Sequence, residues 1–474
     1  MGHIVDPAYF TSIAHRMFDR VRHVSALRVL ALLVPFSAVA DAPAKAVVAR
    51  PPQFVALAFD NCTELTAWTD VDRFTDDMAS KHKTVNFTFF ISGVNLLASA
   101  VKNKYQGPHH DRGKANIDFG GSPDDVQRRV ALMNRMDSKG SEIASHAVGH
   151  FDANPTSGTK WTQADWSDEF DAFDDLKANV AKNNNLPSTV KLPMTMRGFR
   201  APYLSTTPEL YDELESRGFR YDTSSDGDAT AWPKKTDGTW RFNLANLTIH
   251  GTSTRTLSMD YNFYVRQSNA TEIPARAAEF QQQMLDTYVD YFRSNYSGNR
   301  APLHIGHHFQ AYQGGVYNQA LRTFAELVCG LPEVRCVTYS ALADFMDGLS
   351  ASTLAAYQRG DFEKLDPPDI ETARASFPED PPVFLLAAAN KSIKAVVRGA
   401  TSNVARIEWF SGDRLIGSSA TVGQRDLAHV DVGELTVIAR GAANQVLARE
   451  TVSIERKLGI VSLGSEPELK PRAD

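Results

Sequence analysis

The sequence predicts an α/β protein, a distorted (β/α)7 barrel followed by a small all-β sandwich domain. Three observations carry that expectation. Between 54 and 348, apolar runs of strand length alternate with amphipathic runs of helix length, the rhythm of a parallel sheet covered by helices. Two proline clusters, Asp366-Pro367-Pro368 and Pro378-Glu379-Asp380-Pro381-Pro382, then interrupt the chain. Beyond them the pattern changes to short alternating runs joined by turn residues such as Ser411-Gly412-Asp413.

Taken in order, arginines at 20, 22 and 28 precede and enter an apolar stretch at 26–39 that ends in small residues, the pattern of an export signal over 1–42. Met17 is a possible start within it. The apolar core is too short for a permanent membrane anchor, so an exported protein, periplasmic or extracellular, is expected. Barrel strands are expected at 54–59, 85–91, 142–145, 196–200, 219–222, 303–307 and 335–338. Helices are expected at 70–81, 124–138, 165–183, 208–217, 274–295 and 318–331. The stretch 226–269, rich in Thr, Asn and aromatic residues, breaks the rhythm and reads as an insertion near the strand ends, where insertions shape binding sites. The barrel domain spans 51–350, a helical linker 351–382, the sandwich, read as immunoglobulin-like, 383–456, and a flexible tail 457–474.

The chain has 474 residues, a net charge of −6 and 43% hydrophobic residues. It can bury a full core, and it offers no basic surface for nucleic acid or an anionic membrane. Its three cysteines are too few for a disulfide scaffold. Cys329 and Cys336 flank a short turn and are expected to pair; Cys62 reads as a small buried residue.

The chemistry lies at strand ends. His146 and His150, four residues apart, can face one cation. The run 54–59 ends in Asp60-Asn61, which supplies a carboxylate and a carboxamide that divide between base and ligand. Arg200 closes a later run and could hold Asp60 ionised through a bidentate contact. The run from Leu303 ends in His307-His308, a source of a general acid. Such a set points to metal-assisted hydrolysis, with zinc the expected ion and cobalt or nickel as other candidates.

In their order and type these motifs resemble the polysaccharide deacetylases of carbohydrate esterase family 4, the NodB-homology group, with special similarity to the animal-type chitin deacetylases. The resemblance covers roughly 54–348. It implies Asp60 as the general base and Asn61, His146 and His150 as metal ligands, with Asn61 standing where the family has a second aspartate. Ala147 likewise replaces a usual hydroxyl residue. Arg200-Ala201-Pro202-Tyr203 matches the third motif, which implies that the Tyr203 backbone N–H binds the oxyanion. Tyr221-Asp222-Thr223-Ser224-Ser225 resembles the fourth, with Asp222 orienting the acid and Trp232 walling the substrate pocket. Register places His308 as the acid; His307 remains the alternative and a candidate substrate contact. The implied substrate is a polysaccharide with N-acetylglucosamine units, chitin oligomers or peptidoglycan. The rival expectation is a carbohydrate-binding protein whose Asn61 leaves the site inactive.

Overall fold

The computed structural model describes residues 48–370, 383–389, 392–398, 404–419, 422–426, 433–457 and 460–463. The expected export signal, the second proline cluster and the end of the expected tail lie outside these residues.

The first domain runs β1 (Gln53–Asp60), α1 (Leu65–Ser80), β2 (Phe87–Ile91), α2 (Pro123–Ser138), β3 (Glu142–Ser145), α3 (Gln163–Ala178), the short α4 (Val180–Asn183), β4 (Gly198–Phe199), α5 (Pro208–Ser216) and β5 (Tyr221–Asp222). Short strands β6 (Asp226–Asp228), β7 (Lys234–Thr236), β8 (Thr239–Arg241), β9 (Leu244–Thr248) and β10 (Arg255–Leu257) follow, then α6 (Asp260–Ser268), α7 (Ala277–Ser297), β11 (Leu303–His308), α8 (Val316–Val328), β12 (Val334–Cys336), α9 (Tyr339–Asp347) and α10 (Ala351–Arg359). The main sheet has the order β11-β1-β2-β3-β4-β5-β8-β7, with β12 also paired to β1. Every pairing in it is parallel except that of β7 with β8.

All seven expected strands are present, but among the described residues no ladder joins β7 to β11, so the sheet is an open one rather than a closed barrel. β4 and β5 have two residues each, too few to carry a full turn of barrel pairing.

Strand β1 is buried along its whole length, which is why it reads as a continuous apolar run. Val55, Leu57 and Phe59 join the cluster under the outer helices, while Phe54, Ala56 and Ala58 join the one enclosed by the sheet. Helices α2 and α3 begin with reciprocal caps, Ser122 with Asp125 and Thr162 with Asp165. Cys329 and Cys336 form a disulfide that ties the end of α8 to β12. Cys62 is buried, its thiol donating to the Phe59 carbonyl at 3.4 Å.

The insertion does more than decorate. β6, β9 and β10 form a separate sheet, and the chain after β10 lies along β11: Ser258 Oγ donates to the His304 carbonyl at 2.6 Å and the Gly306 N–H to the Ser258 carbonyl at 2.9 Å. Helix α6 therefore starts, at Asp260, beside the end of β11.

In the C-terminal region β13 (Val383–Ala389), β14 (Ser392–Arg398) and β17 (Val422–Asp426) form one antiparallel sheet. β15 (Arg406–Ser411), β16 (Arg414–Ser419), β18 (Gly433–Arg440), β19 (Val446–Lys457) and β20 (Ile460–Leu463) form another. Ile393 and Val397 of the first sheet share an apolar cluster with Ile407, Trp409 and Val437 of the second. The expected turn at 411–413 joins β15 to β16, with Gly412 at φ 57°. β20 lies inside the segment expected to be tail, because it pairs with the end of β19.

Candidate active site

Neighbouring strand ends bring the predicted residues to one rim of the sheet. Asp60 of β1 is the register partner of His308 of β11; β2 and β3 then carry the rim to His146, and β4 carries it to Arg200. Along β11 alternate side chains separate as strand parity requires: His307 goes to the helices, while His308 stays on the rim.

Arg200 is fully buried, and it is the hub. Its Nη1 donates to Asp60 Oδ1 at 2.7 Å, Nε to Thr223 Oγ1 at 2.6 Å and Nη2 to the Tyr339 hydroxyl at 3.3 Å, and its guanidinium lies 4.3 Å from the centre of the Phe90 ring. The contact to Asp60 uses one nitrogen, not the expected two, because the other two nitrogens are committed elsewhere. Burial works against the Arg200 charge, but Asp60 more than restores it, so its pKa is raised.

The backbone of Arg200 serves the histidines as well. Its carbonyl accepts from His146 Nδ1 at 2.6 Å. That bond fixes the tautomer with the proton on Nδ1 and leaves the Nε2 lone pair for a cation. Burial pushes the His146 pKa down to about 4 and that of His150 well below the usual histidine value, so both rings are neutral, the form that binds metal. Their centroids are 5.1 Å apart. His150 Nδ1 is buried without a hydrogen-bond partner, a cost that coordination would offset. Among the described residues no three His, Cys, Asp or Glu side chains form a metal-holding group. The remaining expected ligand, Asn61, follows the end of β1. It sits in the left-handed region at φ 52°, a conformation asparagine tolerates, and its Oδ1 accepts from Thr63 Oγ1 at 3.3 Å. The neutral histidine pair with one carboxamide oxygen fits a divalent ion, held less firmly than by a carboxylate.

His308 behaves oppositely. Asp260 Oδ1 accepts from its Nδ1 at 2.6 Å, and Asp260 Oδ2 from its backbone N–H at 2.8 Å. Burial lowers the His308 pKa, but the Asp260 charge outweighs it and the net shift is upward.

Three expectations need correction. The residue that orients His308 is Asp260, not Asp222: Asp222 accepts from Ser224 Oγ at 2.5 Å, and Ser224 Oγ in turn accepts from the Ala201 N–H at 2.8 Å, so Asp222 braces the loop ahead of Tyr203. His307 contacts no substrate-accessible space: it is fully buried, its Nε2 3.0 Å from the Tyr288 hydroxyl and its Nδ1 3.0 Å from Asn318 Oδ1. Trp232 is a core anchor, 3% exposed, stacked on Tyr357 with its Nε1 donating to the Asn299 carbonyl at 2.8 Å. Tyr203 is on the rim, 47% exposed, its ring 4.7 Å from that of His150 and its φ 56°. Asp260 had no local signature; the only pointer to it was that the insertion lies where insertions shape sites.

No family model matches the chain, and no curated protein matches it. Solved structures do. A putative polysaccharide deacetylase from Mycobacterium smegmatis is 16% identical, with 69% of this chain and 98% of that one covered and a TM-score of 0.39. A carbohydrate esterase family 4 domain of a xylanase from the hindgut metagenome of Trinervitermes trinervoides is 16% identical, with 62% and 92% covered and a TM-score of 0.32. A family 4 pseudoenzyme from Bacillus anthracis is 10% identical, with 62% and 66% covered and a TM-score of 0.32. At these values the functional reading has to rest on the chain's own side chains.

Proposed function

We propose that the protein is an exported, divalent-metal-dependent N-deacetylase of a polysaccharide containing N-acetylglucosamine, chitin-like or peptidoglycan. One observation carries the reading: Asp60, anchored by Arg200, and His308, held by Asp260, are register partners across β1 and β11. A base and an acid thus stand side by side, within electrostatic reach of His146.

His146 and His150, with Asn61, would hold the ion, zinc first among the candidates. Bound there, it supplies Lewis-acid polarisation of the acetamide carbonyl and an acidified water. Asp60 removes the proton from the attacking water, and Arg200 keeps that carboxylate aimed. The Tyr203 backbone N–H donates to the oxyanion. His308 delivers its proton to the departing amine nitrogen, and Asp260 stabilises the imidazolium beforehand. Residues 1–42 would direct export.

The test is acetate release from chitin oligomers and from peptidoglycan by metal-stripped protein, before and after Zn²⁺ or Co²⁺, beside Asp60→Ala. Metal-dependent release that is lost in the variant is expected. Asn61 favours one other reading, a glycan-binding protein that does not cut; glycan binding with no release on either polymer, even in Asn61→Asp, would establish it.

A further inference from the structure

Two N–H groups of the loop that carries both candidate metal ligands converge on one buried carboxylate. Residues 146–150 pass through the left-handed region twice, at Ala147 (φ 54°) and His150 (φ 56°). Such backbone persists only where its surroundings over-determine it. Here they do. The carbonyls of Ala147, Val148 and Gly149 accept from the N–H groups of Gly93, Val94 and Asn116 at 2.9, 3.3 and 2.9 Å. The N–H groups of Val148 and Gly149, which lie between the two histidines, both donate to Glu169 Oε1, at 2.8 and 3.0 Å. The other oxygen, Oε2, accepts from the Tyr105 hydroxyl at 2.7 Å.

Glu169 projects from α3 and is 1% exposed. A carboxylate is retained at such depth only when donors replace its water, and three do. The loop leaves no room for a side chain at Gly149, where a Cβ would come within 2.3 Å of the Phe151 ring and 2.5 Å of the Tyr105 hydroxyl. The Ala147 side chain carries no polar atom that could brace the loop from within.

We infer that Glu169, braced by Tyr105, is the positioning residue that sets the separation and aim of His146 and His150, and through them the affinity of the site for a divalent cation. Glu169 touches neither the ion nor the substrate; it acts through two peptide N–H groups. The inference rests on the proposed metal role of the histidine pair, and the experiment separates the two.

Co²⁺ is titrated by calorimetry and by its visible absorption, without substrate, into the full chain, into His146→Ala/His150→Ala, and into Glu169→Leu and Glu169→Gln. The expected result is binding by the parent, none by the double histidine variant, and binding about 10- to 100-fold weaker in Glu169→Leu with a changed Co²⁺ spectrum. Glu169→Gln keeps an oxygen for both N–H groups and a donor for Tyr105, so it should recover most of the affinity. Parent-like Co²⁺ affinity and spectrum in Glu169→Leu overturn the positioning role, even if that variant melts earlier. Equal binding by the parent and the double histidine variant overturns the metal reading itself, and the inference with it. Should Glu169→Leu fail to fold, Tyr105→Phe decides: weaker binding supports the inference, and unchanged binding overturns it.

Discussion

His146, buried, and His308, half-buried, stand on the same rim, yet they are pushed in opposite directions. His146 meets a backbone carbonyl and is held neutral, its pKa down to about 4. His308 meets the carboxylate of Asp260 and is shifted upward. Burial alone always disfavours the imidazolium, so the difference lies in the second partner: a dipole orients a ring without charging it, whereas an ion charges it. One rim thereby holds a neutral ring suited to bind a cation and a ring whose protonated form is favoured by its carboxylate partner.

The largest effect should come from breaking the charged member. His308→Ala should lower acetate release by about 10²- to 10⁴-fold, the usual worth of a positioned general acid. Asp260→Asn is the sharper probe, because it leaves the imidazole and removes only its charge partner. A protonated acid is lost as pH rises through its pKa, and that pKa is raised by Asp260. The alkaline limb of the rate profile should therefore move to lower pH in Asp260→Asn, with the acid limb unchanged. An unmoved alkaline limb would remove His308 from the acid role.

A smaller effect is expected from the neutral member's side. Asn61→Asp adds a unit charge at the end of β1, and a charge at about 4 Å from an ion is worth about 1 kcal/mol in water and about 4 at a protein surface. Affinity for Zn²⁺ should rise on the order of tenfold, read as a lower free-metal concentration for half-maximal acetate release. An unchanged metal requirement would mean that the side chain at 61 does not reach the ion.

How much of this was legible in the sequence follows from locality. β1, β3 and β11 stood out because both faces are buried, and their chemistry stood out because the chain changes abruptly from apolar to polar at their ends. The parity of β11 favoured His308 over His307 without excluding the latter, and only the folded strand buries His307 and leaves His308 at the rim. Asp260 was not legible, since its partnership with His308 depends on 258–259 lying along β11, a pairing that no local pattern records. Strands β6 to β8 were equally silent: they have three residues each, and β7 is exposed throughout, so no period forms. Trp232 misled for the opposite reason. A tryptophan near a motif suits a pocket wall and a core equally, and only the ring of Tyr357 decides between them.

Another buried imidazole tests the comparison at its limit, because His304 has neither a dipole nor an ion. Both its ring nitrogens are buried without hydrogen-bond partners, and the ring packs in a triangle with Phe242 and Tyr339, its centroid 5.6 Å from each of theirs. Burial and the nearby Arg200 charge push its pKa down to about 3. A folded-state pKa below the unfolded value of about 6.5 means that the unfolded chain binds the proton first. The stability tied to a neutral His304 is thus fully present above about pH 6.5 and drains away as pH falls toward 3. His304→Phe keeps the aromatic stack and removes two unpaired polar atoms. It should stabilise the protein by about 1–2 kcal/mol at pH 7, and more at pH 5, where wild type alone loses this contribution. Thermal unfolding at the two pH values checks both parts. A variant no more stable than wild type at pH 7, with the same loss on acidification, would show that the ring is hydrogen-bonded within the sheet, and His304 would then join His146 as a ring oriented but not charged.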